Sequence, residues 1–310
     1  MTRLEGWPGV NDTRLKVGKR SVRVLRAGKP GGEPQILVHG LAGFSSTWVE
    51  VIERLAAHGP VVAPDLPGFG RTPLLPGERI SVGGYAKFVL QLADSLGWDR
   101  FTLHGNSMGG LIATMLAARH PERVRRLVLV SPALPPRSPV GFLMPSRTTV
   151  DAMVPIAMTS LGAAALGVAG RDAEDLGTRR DRRLLQLIYP DPDAVNPMVL
   201  DLLAADMSDE VMTPSQRRQH VLAATRSIAK LWTNPRHAWR AVDQIISPTL
   251  LLGGTRDALI PARVLRSVLA RRRDWEGHVL EDRRHALMLE DPETYLDLVA
   301  TWQARSADAA

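Results

Sequence analysis

The chain contains no cysteine. Disulfides, thiolate metal sites and a cysteine nucleophile are excluded in one step. It also lacks a long hydrophobic run. The longest uncharged stretch, Ala152 to Gly170, is broken by Pro155, Gly162 and Gly167 and padded with alanine, threonine and serine. That is too weakly apolar for a membrane span. Met1 to Asn11 has no apolar core of signal-peptide length. The expectation is a cytoplasmic protein, with peripheral contact to a membrane surface left open. No phosphate-binding glycine loop, dinucleotide fingerprint or metal-ligand cluster is present in the sequence. No cofactor and no metal is therefore expected. Neither repeats nor low-complexity tracts interrupt the chain.

What is present is an ordinary globular composition. The chain has 310 residues, 45% hydrophobic and 23% charged, enough to bury a large core. Its formal net charge is +7. The basic residues are mostly arginines mixed with acids, as from Arg171 to Arg183, and the one tight run is Arg271-Arg272-Arg273. Such a pattern reads as a solvated face rather than a nucleic-acid groove. Oligomeric state has no signature.

Strand-like runs occur at Val22–Leu25, Gln35–Val38, Val61–Ala63, Phe101–Leu103 and Leu127–Val130. The last is continuously apolar, as a strand covered on both faces should be. Helical spacing links Trp48, Val49, Ile52 and Leu55, and again Tyr85, Phe88, Val89, Leu92 and Leu96. This alternation predicts an α/β fold with a mainly parallel sheet flanked by helices. The rhythm stops after Val130. Prolines 132, 135, 136, 139 and 145 cluster there, and helical stretches without a strand continue to about Val242. It resumes with a strand at Thr249–Leu252, a helix at Pro261–Leu269, a strand at Trp275–Leu280 and a helix at Pro292–Gln303. The parsimonious organisation is a core of residues 1–131 and 244–310, with residues 132–243 as a helical cap insertion.

Gly105-Asn106-Ser107-Met108-Gly109 fits the pattern G-x-S-x-G between a strand and a helix. A sharp turn there strains the serine backbone and exposes its oxygen. The flanking glycines let strand and helix pass closely. Ser107 is the candidate nucleophile, and the Met108 amide a candidate oxyanion donor at the helix N-terminus.

Four segments now carry a resemblance. They are His39-Gly40-Leu41-Ala42-Gly43 with Trp48, then Pro64-Asp65-Leu66-Pro67-Gly68-Phe69-Gly70, then the serine turn, then Gly253-Gly254-Thr255-Arg256-Asp257 with His285. In this order, over nearly the whole chain, they resemble the α/β-hydrolase superfamily, specifically its capped lipase-, esterase- and carbon–carbon-hydrolase-like members. The resemblance implies an α/β-hydrolase fold and a Ser-Asp-His chain order. Of eight histidines, His285 alone follows the last strand on a loop, where the family places its base. Asp257 is the implied acid. The family's other acid position is Ser131 here, and Asp282 is too close to His285 in sequence to orient the ring from behind. Leu41 is the implied second oxyanion amide, with Ala42 in reserve. Asp65 reads as a structural turn residue.

A serine at position 107 excludes the branches that use an aspartate there, the haloalkane dehalogenases and most epoxide hydrolases. Hydrolysis of a carboxylester, lipid or thioester through an acyl-enzyme is the leading expectation. Two alternatives remain: a meta-cleavage carbon–carbon hydrolase, and a non-catalytic ligand receptor on the same fold. Ala286 after the base and Leu41-Ala42-Gly43-Phe44 in the oxyanion loop depart from the carbon–carbon enzymes. The apolar stretch from Ala152 to Gly170 suits a small acyl or other apolar substrate, and Met153 and Met158 are candidate lining residues.

Overall fold

The computed structural model describes residues 2–136, 196–208 and 212–307. Nine strands form one sheet: β1 (Thr2–Leu4), β2 (Trp7–Val17), β3 (Arg20–Ala27), β4 (Gln35–Val38), β5 (Val61–Pro64), β6 (Phe101–Asn106), β7 (Val124–Val130), β8 (Thr249–Gly254) and β9 (Glu276–Leu280). Their spatial order is β1-β2-β3-β5-β4-β6-β7-β8-β9. The pairs from β1 to β5 through β3 are antiparallel, and all pairs from β5 through β4 to β9 are parallel.

The central strands explain why the sheet has two covers. On β4, Ile36 and Val38 join one apolar cluster while Leu37 joins the other. On β7, Leu127 and Leu129 go one way, Val128 and Val130 the other. Side chains alternate across a strand, so a continuous apolar run must be buried on both faces. One face is covered by α2 (Val82–Ser95), α3 (Met108–Arg119), α5 (Pro214–Thr233), α6 (Pro235–Gln244) and α7 (Ala262–Arg271). The other is covered by α1 (Val49–Leu55), α4 (Pro197–Ser208), α8 (Leu287–Glu290) and α9 (Pro292–Ala307). This is the mainly parallel, helix-flanked sheet with a helical insertion after β7 that the sequence predicts. Among the described residues, no strand lies between β7 and β8.

Two details differ from the expectation. Strands β1 and β2 have no counterpart in the sequence reading. β2 carries Pro8, Gly9, Asn11 and Asp12 and buries only Trp7, Val10 and Val17, so its polar composition masks a strand near the sheet edge, where proline is tolerated. Helix α6, which falls inside the range expected for the cap, packs against α3 through buried Ala238, Trp239, Ala241 and Val242. Met153 and Met158 lie outside the described residues.

A buried polar knot fastens α4 to the sheet. Arg23 on β3 is 1% exposed. Its Nη2 donates to Asp12 at 2.8 Å, and its Nη1 to Asp206 of α4 and to Ser45 at 2.9 Å each. Asp65 lies 3.5 Å from the same Nη1. Burial works against the guanidinium charge, but Asp65, Asp12 and Asp206 outweigh it, and Arg23 holds its proton more tightly than a free arginine. Removing one partner from such a knot leaves unpaired charges in a dry interior. Arg23→Met is expected to cost about 3–5 kcal/mol of folding stability, read from the urea denaturation midpoint. A change below about 1 kcal/mol would show that the carboxylates neutralise without it.

Candidate active site

The serine turn is built by close approach. A Cβ on Gly105 would sit 2.4 Å from the carbonyl oxygen of Gly109, and one on Gly109 would sit 2.2 Å from that of Val38. Any side chain at either position would push β6, α3 and β4 apart. Between them Ser107 has φ 54° and ψ −116°, a left-handed φ that costs a non-glycine residue on the order of 1–3 kcal/mol. Backbone bonds hold it there. Its amide donates to Val130 at 2.9 Å, and its carbonyl accepts from Leu111 and Ala133 at 3.1 and 2.9 Å. The hydroxyl does not cap α3 although the residue occupies the cap position. Serine usually spends its oxygen on that bond; here the side chain is left for another partner.

His285 lies on the loop between β9 and α8, and Asp257 on the loop after β8. Both are buried. The structure brings them together, with Nδ1 of His285 2.9 Å from Oδ2 of Asp257. The other oxygen, Oδ1, accepts the amides of Leu259 and Ile260 at 2.8 and 2.9 Å. An ionised carboxylate only accepts, so Nδ1 is the donor of this bond, and in the neutral ring Nε2 then presents a lone pair. The serine turn is tied to the histidine loop through Asn106, whose Nδ2 donates to the carbonyls of His285 at 3.0 Å and Val130 at 3.3 Å.

The loop after β4 runs beside the serine. A Cβ on Gly40 would lie 3.1 Å from that of Ser107. Leu41 follows in a turn closed by the Gly43 amide on the Gly40 carbonyl at 3.2 Å, with Ala42 at φ 55°. Met108 is the first residue of α3, where amides have no acceptor one turn back.

The competing residues are committed elsewhere. His39 is fully buried. Its Nε2 accepts the Leu66 amide at 3.0 Å, and its Nδ1 is 2.7 Å from the Gly40 carbonyl. His104 sits between Tyr295 and Gln35, and burial lowers its imidazole to about 3. Asp65 accepts the amides of Ser45 and Arg71 at 2.7 and 2.8 Å, the turn-stabilising place its proline- and glycine-rich loop suggests. Asp282 is exposed and pairs with Arg256 at 2.9 Å. Ser131 is buried, with no carboxylate in its position.

Asn106, which ties the serine turn to the histidine loop, carries no role in the sequence reading, and neither do Arg23 of the polar knot and Glu290, which accepts the Arg284 amide. Asn106 stands in the variable position of the serine motif, and only the distance to His285 shows its use. Arg23 stands inside an apolar strand run, where a charge demanding partners is itself the signal. Glu290 lies in the His285-to-Pro292 segment, where nothing but proximity in space distinguishes it.

Strand order, serine turn and acid–histidine pair define an α/β-hydrolase architecture. A family model for the alpha/beta hydrolase fold matches residues 34–292, and the chain belongs to that family. It is 32% identical over 267 residues to a pimeloyl-(acyl-carrier protein) methyl ester esterase of Neisseria meningitidis serogroup B, covering 84% of this chain and 89% of that one. It is 28% identical to a 2-hydroxymuconate semialdehyde hydrolase of Pseudomonas sp. strain CF600, over 90% of this chain and 89% of that protein. The structure of the 2-hydroxy-6-oxo-6-phenylhexa-2,4-dienoate hydrolase of Rhodococcus sp. strain RHA1 superposes with a TM-score of 0.73 at 20% identity, covering 95% of this chain and 99% of that one. At that identity the likeness is one of fold.

Proposed function

We propose that the chain is a serine hydrolase that cleaves an ester of a small apolar or acyl substrate through an acyl-enzyme. The observation that carries this reading is the fixed Asp257–His285 pair, joined through Asn106 to a strained serine whose hydroxyl does not cap its helix. In this reading Nε2 of His285 takes the Ser107 proton as Oγ attacks the carbonyl carbon. The amides of Met108 and Leu41 hold the oxyanion, each contributing on the order of 3 kcal/mol to the transition state. His285 then protonates the departing alcohol, and a water activated by the same nitrogen clears the acyl group. Asp257 holds the ring in its tautomer and stabilises the imidazolium. The part of residues 132–243 that precedes α6 is the proposed cap, with Met153 and Met158 toward the acyl group. Methyl ester cleavage by the Neisseria relative supports ester substrates. The Pseudomonas relative keeps carbon–carbon hydrolysis of a vinylogous diketone as the second reading.

The test is covalent labelling with a fluorophosphonate, followed by kcat/KM for p-nitrophenyl esters from acetyl to decanoyl. The label is expected on the Ser107 peptide, with kcat/KM rising beyond acetyl. Turnover confined to a diketone would establish the second reading. Neither label nor turnover of either substrate class would leave the receptor reading.

A further inference from the structure

The loop that carries His285 is held from several sides, and Glu290 holds the residue just before it. Its two carboxylate oxygens each lie 2.9 Å from the amide nitrogen of Arg284, the residue before His285. The neighbouring Asp291 takes the Arg283 guanidinium at 2.8 and 2.6 Å and the Thr294 amide at 3.1 Å. The Arg283 carbonyl accepts the amide of Arg256, next to Asp257, at 2.9 Å. The His285 carbonyl takes Asn106. We propose that Glu290 is a positioning residue for the hydrolytic reaction: it fixes the backbone that aims His285, and its negative charge steadies the imidazolium formed as the serine is deprotonated. This inference rests on the serine-hydrolase reading above.

The carboxyl is poised to act as a variable charge. Burial pushes it up to about 7, the Arg284 amide and the Arg283 charge pull it down, Asp257 raises it and His285 lowers it. The other elements packed on α8 are α1, α9, β8 and the turn Ser45–Trp48. On α1, Glu50 is bonded by Asn196 and Arg54 pairs with Glu293 of α9. Asp291, at the start of α9, is committed to Arg283 and Thr294. β8 and the Ser45–Trp48 turn carry no charged residue of their own, and the loop after β8 brings Asp257. Glu290 is a carboxyl that burial pushes toward neutral pH and that lies within electrostatic reach of Asp257 and His285. Deprotonation above pH 7 places an extra negative charge near the imidazolium, so it favours the transition state there.

The decisive variant is Glu290→Gln, which keeps an acceptor for the Arg284 amide and removes the charge. On a p-nitrophenyl ester, its kcat is expected to fall about 3- to 10-fold at pH 8 with KM little changed, the scale of one nearby charge in a protein. The acidic limb of its kcat/KM profile should move to lower pH, while the melting temperature stays close to wild type. Glu290→Asp keeps the charge on a shorter arm. It should retain the position of the wild-type limb and lose kcat. If Glu290→Gln does not fold, Glu290→Asp decides alone, and wild-type kcat in it would overturn the proposal. A readout independent of turnover is the low-field proton resonance of the Asp257–His285 hydrogen bond. It should follow the protonation of His285 in both proteins, with its midpoint displaced to lower pH in Glu290→Gln. Superposed pH profiles and identical resonances would overturn the proposal, as would a loss of kcat with an unmoved limb and a lowered melting temperature. Absence of hydrolysis in the wild type would instead defeat the serine-hydrolase reading, and the resonance would still decide the role of Glu290.

Discussion

Ser107→Ala is expected to lose at least about 10³-fold in ester turnover while the protein keeps its fold, the scale of removing one member of a catalytic triad. The backbone around the residue explains why the fold should survive. The φ of 54° belongs to the turn, and the bonds to Val130, Leu111 and Ala133 are made by main-chain atoms. Alanine carries the same Cβ strain as serine. The hydroxyl caps nothing, so its removal orphans no helix amide. What disappears is the oxygen proposed to attack. The measurement is steady-state turnover of the purified variant beside its melting curve. Substantial turnover with an intact melting transition would move the nucleophile elsewhere.

Asp257→Asn is expected to lower turnover by about 10⁴-fold, the penalty of presenting the wrong imidazole tautomer. Oδ1 is committed to the amides of Leu259 and Ile260, which demand an acceptor there. An asparagine must therefore keep its oxygen on that side and turn its NH₂ toward His285. Nδ1 then becomes the acceptor, the proton moves to Nε2, and the ring can no longer take one from the serine. Asp282→Asn should change turnover less than about 2-fold, since an exposed ion pair of the kind it makes with Arg256 contributes little. The reverse ranking of the two variants would transfer the orienting role to Asp282.

The parts of the molecule legible in the sequence are those whose cause is local. The apolar run Leu127–Val130 needs burial on both faces, and β7 supplies clusters on both. The glycines at 105 and 109 mark a close approach, and the structure shows which backbones meet there. The Asp257–His285 contact joins residues 28 positions apart, but the strand-and-loop rhythm around each already puts both at one edge of the sheet. What stayed hidden depends on distant partners. Arg23 reaches Asp12, Asp65 and Asp206 at separations of 11, 42 and 183 residues, and no local pattern links those positions. β2 escaped because its apolar positions are sparse and its Pro8-Gly9 start reads as a turn. Glu290 escaped because its two short bonds go to a main-chain amide, which leaves no trace in residue types.

The attachment of α4 through Asp206 has a bearing on how such a chain can change over generations. The end of the insertion is anchored by a side chain on a rigid strand, not by the length of chain leading to it. The entropy of closing a loop grows only logarithmically with its length, by roughly 0.6 kcal/mol per doubling. A change in chain length between residues 136 and 196 would thus weigh little on the anchor, the sheet and the serine turn. If that segment is the proposed cap, substrate range can drift by insertion and deletion there, while selection on folding acts on Arg23 and its carboxylates.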